Sequence, residues 1–193
     1  MDAHKINLKF FMKAGQHTDP ETWFEIFNTW IPDTPDEVLI DVADYSHVHN
    51  GPVTLLVGFE ANYSIDNNKG RQGLQYDRKR PIEGSTAQQI GRALLKAIAV
   101  CRRIEEEPKL DGAVRFLGNE ILVTLNDRLN APNTSETLGA FKSHLDAVLK
   151  VLYKGSGYSV EHLADPKERF TLVVKSEGDP EMVDLMENLD GVF

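Results

Sequence analysis

The sequence predicts an α+β fold in which helices pack on a mainly antiparallel sheet. Two observations carry this reading. Segments with the two-residue alternation of strands and segments with the 3.6-residue recurrence of helices follow one another in the order β-α-β-β-β-α-β-β-α-β-β-α, without the strict alternation that a doubly wound parallel sheet requires. Hydrophobic residues make up 41% of the 193-residue chain and charged residues 26%, ordinary globular usage with enough apolar side chain for a core.

Residues 5–13 alternate Ile6, Leu8, Phe10 and Met12 with Asn7, Lys9, Phe11 and Lys13, which predicts a strand with one buried face. Asp19-Pro20-Glu21 suits a helix start, and Trp23, Phe24, Phe27 and Trp30 recur at helical spacing up to a stop near Pro32. That aromatic stripe fits a core, or alternatively a subunit interface. The apolar run of residues 37–45 predicts a strand covered on both faces and central in its sheet. Residues 52–63 read as the next strand, entered through a distorted Asn50-Gly51-Pro52 turn, because Pro52 has no amide proton to donate. Asn67, Asn68 and Gly70 mark a reversal into a strand through Leu74 and Tyr76, which completes a three-stranded meander.

Ser85 or Thr86, each with a glutamine three residues later, predicts a boxed helix start, and Ile90, Leu94, Ala97, Ile98, Cys101 and Ile104 form its apolar stripe up to Pro108. Residues 113–117 and 120–125 read as two short strands pivoting on Gly118-Asn119. A third helix starts near Asn133, Thr134 or Ser135 and ends at Gly155 and Gly157. A hairpin of residues 158–163 and 169–175 follows, then a helix after Asp179-Pro180-Glu181. The expected organisation is a single domain over residues 1–193, with a soft two-lobed boundary near 108–112. Residues 11–21 and 173–181 share a strand, lysine, glycine and Asp-Pro-Glu order that fits either common capping grammar or an internal duplication.

Thirty acidic against 21 basic residues give a formal charge of -9, which repels a phosphate backbone, so no nucleic-acid partner is expected. No run approaches the roughly 20 apolar residues that span a bilayer, so no membrane partner is expected either. The single cysteine, Cys101, cannot form an internal disulfide and sits on an apolar stripe as a buried, inert thiol, which fits a cytoplasmic home. Nucleotide cradles of the GxGxxG or GxxxxGK[ST] type are absent.

Two constellations could carry chemistry. Lys69, Arg71, Arg78, Lys79 and Arg80 gather five cations in twelve residues of an acidic chain, and forked guanidinium groups suit carboxylates and phosphates. Arg71, Arg78 and Arg80, with Tyr63 and Tyr76, are therefore the candidate ligand-binding residues for a small anionic molecule or partner. A charged edge strand that resists aggregation is the plain alternative. The second constellation is Asp41, His47, His49 and Glu60, candidate groups for acid and base catalysis. His47 and His49, two residues apart, are the candidate metal ligands. The sequence thus points to a homo-oligomeric binding protein for a small anion, with a metal-dependent or acid/base enzyme and a structural assembly subunit as the other classes. It specifies no cofactor.

Overall fold

In the computed structural model, which describes residues 3, 5–15, 18–48 and 50–193, the strand β1 (Ile6–Met12) lies in the middle of a sheet rather than at its rim. Along the chain follow α1 (Pro20–Trp30), β2 (Leu39–Asp44), β3 (Pro52–Gly58), β4 (Ala61–Asp66), β5 (Gly73–Arg78), α2 (Thr86–Glu105) and β6 (Phe116–Leu125). The order continues with α3 (Ser135–Leu152), β7 (Tyr158–His162), β8 (Phe170–Ser176) and α4 (Met182–Leu189). The eight strands form one sheet in the order β2-β3-β4-β5-β1-β6-β8-β7, and every neighbouring pair is antiparallel. The expected α+β architecture, helices on an antiparallel sheet, is what the chain adopts.

Ile6, Leu8, Phe10 and Met12 point to one face together with Leu74 and Tyr76 of β5 and Ile121, Val123 and Leu125 of β6. All of them join a contiguous core with Trp23, Phe27 and Trp30 of α1, the Ile90 to Ile104 stripe of α2, and apolar residues of α3 and α4. The four helices thus all cover the same face. Ser85 opens α2 with the expected capping box, its side chain accepting from the Gln88 amide while the Gln88 side chain accepts from the Ser85 amide. Thr134 caps α3 with its side chain alone, which accepts from the Thr137 amide. Cys101 is fully buried, and burial pushes its thiol well up. Among the described residues, no helix is long and apolar enough to cross a membrane.

Four expectations change. β2 is an edge strand, not a central one: Val38 and Ile40 are exposed, and the register shifts between Leu39 and Asp41. Of this apolar run only Leu39 and Val42 are buried, and the irregularity between them leaves both Ile40 and Asp41 outside. The segment 52–63 is two strands, since the chain reverses through Phe59 and Glu60, so the meander has four strands. The β2–β3 connection spans residues 45–51, longer than the distorted turn expected at Asn50-Gly51-Pro52. Conversely, Gly118-Asn119 makes no reversal, and β6 runs unbroken for ten residues. Gly118 answers to a close approach: a Cβ there would lie 2.0 Å from the Pro180 carbonyl oxygen, where the chain enters α4.

Candidate functional site on the helix-free face of the sheet

The second face of β1 carries Asn7, Lys9 and Phe11, and all seven residues of the strand are buried. Period-two reading expects a solvated face here, yet Lys9 is 3% exposed and Asn7 5%. Register extends this face sideways as three rows. Asn62, Asp77, Asn7 and Thr124 lie abreast on β4, β5, β1 and β6. Ser64, Gln75, Lys9 and Leu122 form the next row, and Asp66, Gly73 and Phe11 the one after. Asn7, Lys9, Ser64 and Asp66 in the middle are buried, whereas Leu55, Val57, Thr171 and Val173 on the flanking strands are half-exposed. The polar residues therefore form a buried strip along the middle of a face on which, among the described residues, no helix packs.

At one end of the strip the Lys9 ammonium donates to Asp66 Oδ2 (2.5 Å) and to the Arg71 carbonyl (2.6 Å). Gly73 stands between Lys9's strand and Asp66 without a side chain, which leaves the lane open for the lysine to cross. A Cβ on Gly73 would also meet the Phe10 carbonyl oxygen at 2.2 Å. Burial holds the Lys9 ammonium below its ordinary value even with Asp66 beside it. The turn after β4, where Lys69 and Gly70 take positive φ, folds over this pair, and Asp66 Oδ2 also accepts from the Asn68 amide. Arg71 leaves the turn in a forked pair with Glu120 (2.7 and 2.9 Å), its guanidinium 3.7 Å from the Phe11 ring centre. That pairing lowers the Glu120 carboxyl and raises the Arg71 guanidinium. Where β1 stops and β5 begins, Lys13, Asn67, Arg71 and Gln72 line an open cavity of about 530 Å3 with the apolar Met12 and Val53.

At the other end sits Asp77. Both its oxygens accept from Gln75 Nε2 (3.0 and 3.2 Å), and burial pushes its carboxyl up to about 6, with Asp66 adding to the rise and Arg169 opposing it. On either side, Asn7 Oδ1 and Asn62 Oδ1 are buried without a hydrogen-bond partner among the described residues.

The basic segment divides across the sheet. Arg78 points to the helix-covered side with Tyr63 and Tyr76, whose rings lie 5.5 Å apart. The Tyr63 hydroxyl donates to Glu37 (2.6 Å), and burial raises its pKa; Tyr76 is pushed up to about 12, again by burial. Arg78 pairs with Glu60 (2.8 Å) and donates to the Arg80 carbonyl, while Arg80 rests on the exposed Phe59 ring. Tyr63, Tyr76, Arg78 and Glu60 thus converge, but away from Arg71.

Asp41, His47 and Glu60 do not converge. Glu60 lies at the β3–β4 turn beyond one end of β2, and His47 lies in the loop beyond the other, stacked on Tyr45. Exposed Asp41 accepts from the Val42 amide. His49 lies outside the described residues. Among the described residues no group of three or more His, Cys, Asp or Glu side chains is placed to share a metal ion. Sequence reasoning missed Lys9, Asp66, Asp77, Asn7 and Asn62. The available signal was the alternation of Asn7 and Lys9 with core residues in β1, which reads as an exposed face until the strand is known to be central. Compared with protein families and with curated proteins, the chain matches none.

Proposed function

We propose that this protein binds a small anionic molecule in the cavity of about 530 Å3 that Lys13 and Arg71 line. The cavity carries the reading: its volume lies within the range of about 300–1,000 Å3 of small-molecule sites, and it combines two cations and two side-chain amides with an apolar wall. Both cations have carboxylate partners, Glu120 for Arg71 and Asp179 at 3.6 Å for Lys13. The Lys13–Asp179 pair is solvent-facing, a class worth about 0–1 kcal/mol, and the Arg71 guanidinium stays half-exposed in its forked pair with Glu120, so a carboxylate or phosphate that reaches both cations at once competes with these partners. Arg71 stacked on Phe11 is already oriented, which reduces the entropy lost on binding. The split of the basic segment supports Arg71 as its ligand-facing member and assigns Arg78 to the Glu60 pair.

A thermal-shift screen over phosphates, nucleotides and carboxylic acids tests this. A ligand at about 100 times its dissociation constant adds about 2.7 kcal/mol of stability. We expect a stabilising anion whose effect is lost in Arg71→Ala and Lys13→Ala and kept in Arg80→Ala. Equal shifts in all three variants, or none across the panel with wild-type protein, refute the reading.

A further inference from the structure

We propose that Asn62, Asp77 and Asn7, side by side on β4, β5 and β1, hold the ammonium group of a small primary amine. The register sets three oxygen-bearing side chains abreast on the helix-free face, with the carboxylate in the centre and an amide on each side. The two amide oxygens are buried and lack a donor among the described residues, and Asn7 itself is 5% exposed. A buried acceptor left unmatched is rare in folded proteins and calls for an explanation. An ammonium group offers three N–H donors and no acceptor, which matches three acceptors and one negative charge.

The surroundings favour a cation. Lys9, the neighbouring positive group on β1, is committed to Asp66 and the Arg71 carbonyl, so its charge is already balanced. Gln75, on the same strand as Asp77, donates to it, and Arg169, just before β8, is a positive group that acts on Asp77. A hard divalent ion is a poorer match. Calcium takes about 6–8 oxygens and magnesium a strict octahedron, whereas this row supplies one carboxylate and two amides. The site is separate from the cavity at the Arg71 end and stands whether or not an anion binds there.

Calorimetric titration of the full chain with n-butylammonium chloride at pH 8 and pH 5, beside tetramethylammonium chloride and calcium chloride, tests it. We expect butylammonium to bind at pH 8 and about tenfold more weakly at pH 5, where the carboxylate must first release its proton. Asp77→Asn, close to isosteric, should weaken binding at least tenfold and Asn7→Leu likewise, while Arg71→Ala leaves it unchanged. Should Asn7→Leu fail to fold, Asp77→Asn decides. No binding of butylammonium at pH 8, equal binding of tetramethylammonium, which has no N–H to donate, stronger binding of calcium, or unchanged affinity in Asp77→Asn would each overturn the proposal.

Discussion

The two faces of β1 are equally buried and differ in every other respect. On one, Ile6, Leu8, Phe10 and Met12 meet helices and need nothing but shape. On the other, Asn7 and Lys9 are sunk among strands with no helix above them, so each polar atom must be matched or left at a loss. Lys9 is matched by Asp66 and a carbonyl; the Asn7 side-chain oxygen has no partner among the described residues. The first face accounts for why the chain folds. The second, with a buried ion pair, a carboxyl raised to about 6 and two amide oxygens unpartnered among the described residues, combines the features that concentrate at binding sites.

The contrast can be broken most forcefully at Lys9. Lys9→Met leaves Asp66 buried without its counter-ion and should destabilise by about 3–5 kcal/mol, much as Phe10→Ala does on the opposite face by opening a cavity. The faces part company in the second mutation: Lys9→Met with Asp66→Leu should recover most of the loss in a urea melt. If the double variant is as unstable as the single one, the pair is not the determinant.

A smaller effect is expected at Asp77. Its carboxyl stands at about 6 in the fold and near the ordinary 3.8 when unfolded, so the folded form binds the extra proton between these values. Stability is therefore full below about pH 4 and declines as pH rises through 6, by about 2 kcal/mol at 1.36 kcal/mol per pH unit after allowance for partial solvation. Asp77→Asn should flatten that slope and raise stability at pH 7; denaturant melts from pH 4 to pH 8 check both. Comparable in size is Gly118→Ala on the helix-covered side, where the added methyl meets the Pro180 carbonyl and should destabilise by about 1–3 kcal/mol by thermal melt. A neutral result would restore a loose turn at that point.

These differences also mark how far the sequence could be read. Helix starts are local, and the Ser85 box and the Thr134 cap are found where composition puts them. Strand rank is not local. The residues of β2 look central because Val38, Leu39 and Ile40 are apolar, and only the sheet order reveals an edge. Gly118 has the composition of a turn and the geometry of a contact with a segment more than sixty residues away, which no window around it contains. Arg71 and Arg78 are separated by seven positions, an odd number, and so face opposite ways along one strand direction, while Lys69 and Gly70 bend the chain before it. The Lys9–Asp66 pair is invisible for the same reason: its members meet across β5, which comes later in the chain than either.

The central placement of β1 has a kinetic corollary. This strand is synthesised before both of its partners, and its two hydrogen-bonding edges are completed by β5 and by β6, the latter on the far side of α2. Until both arrive, Phe10 and Phe11 are carried on an unpaired ribbon, and closing such distant contacts is slow. The nascent chain thus passes through a long interval of stickiness, and refolding yield should fall with protein concentration even though the finished molecule keeps that ribbon sealed on both sides.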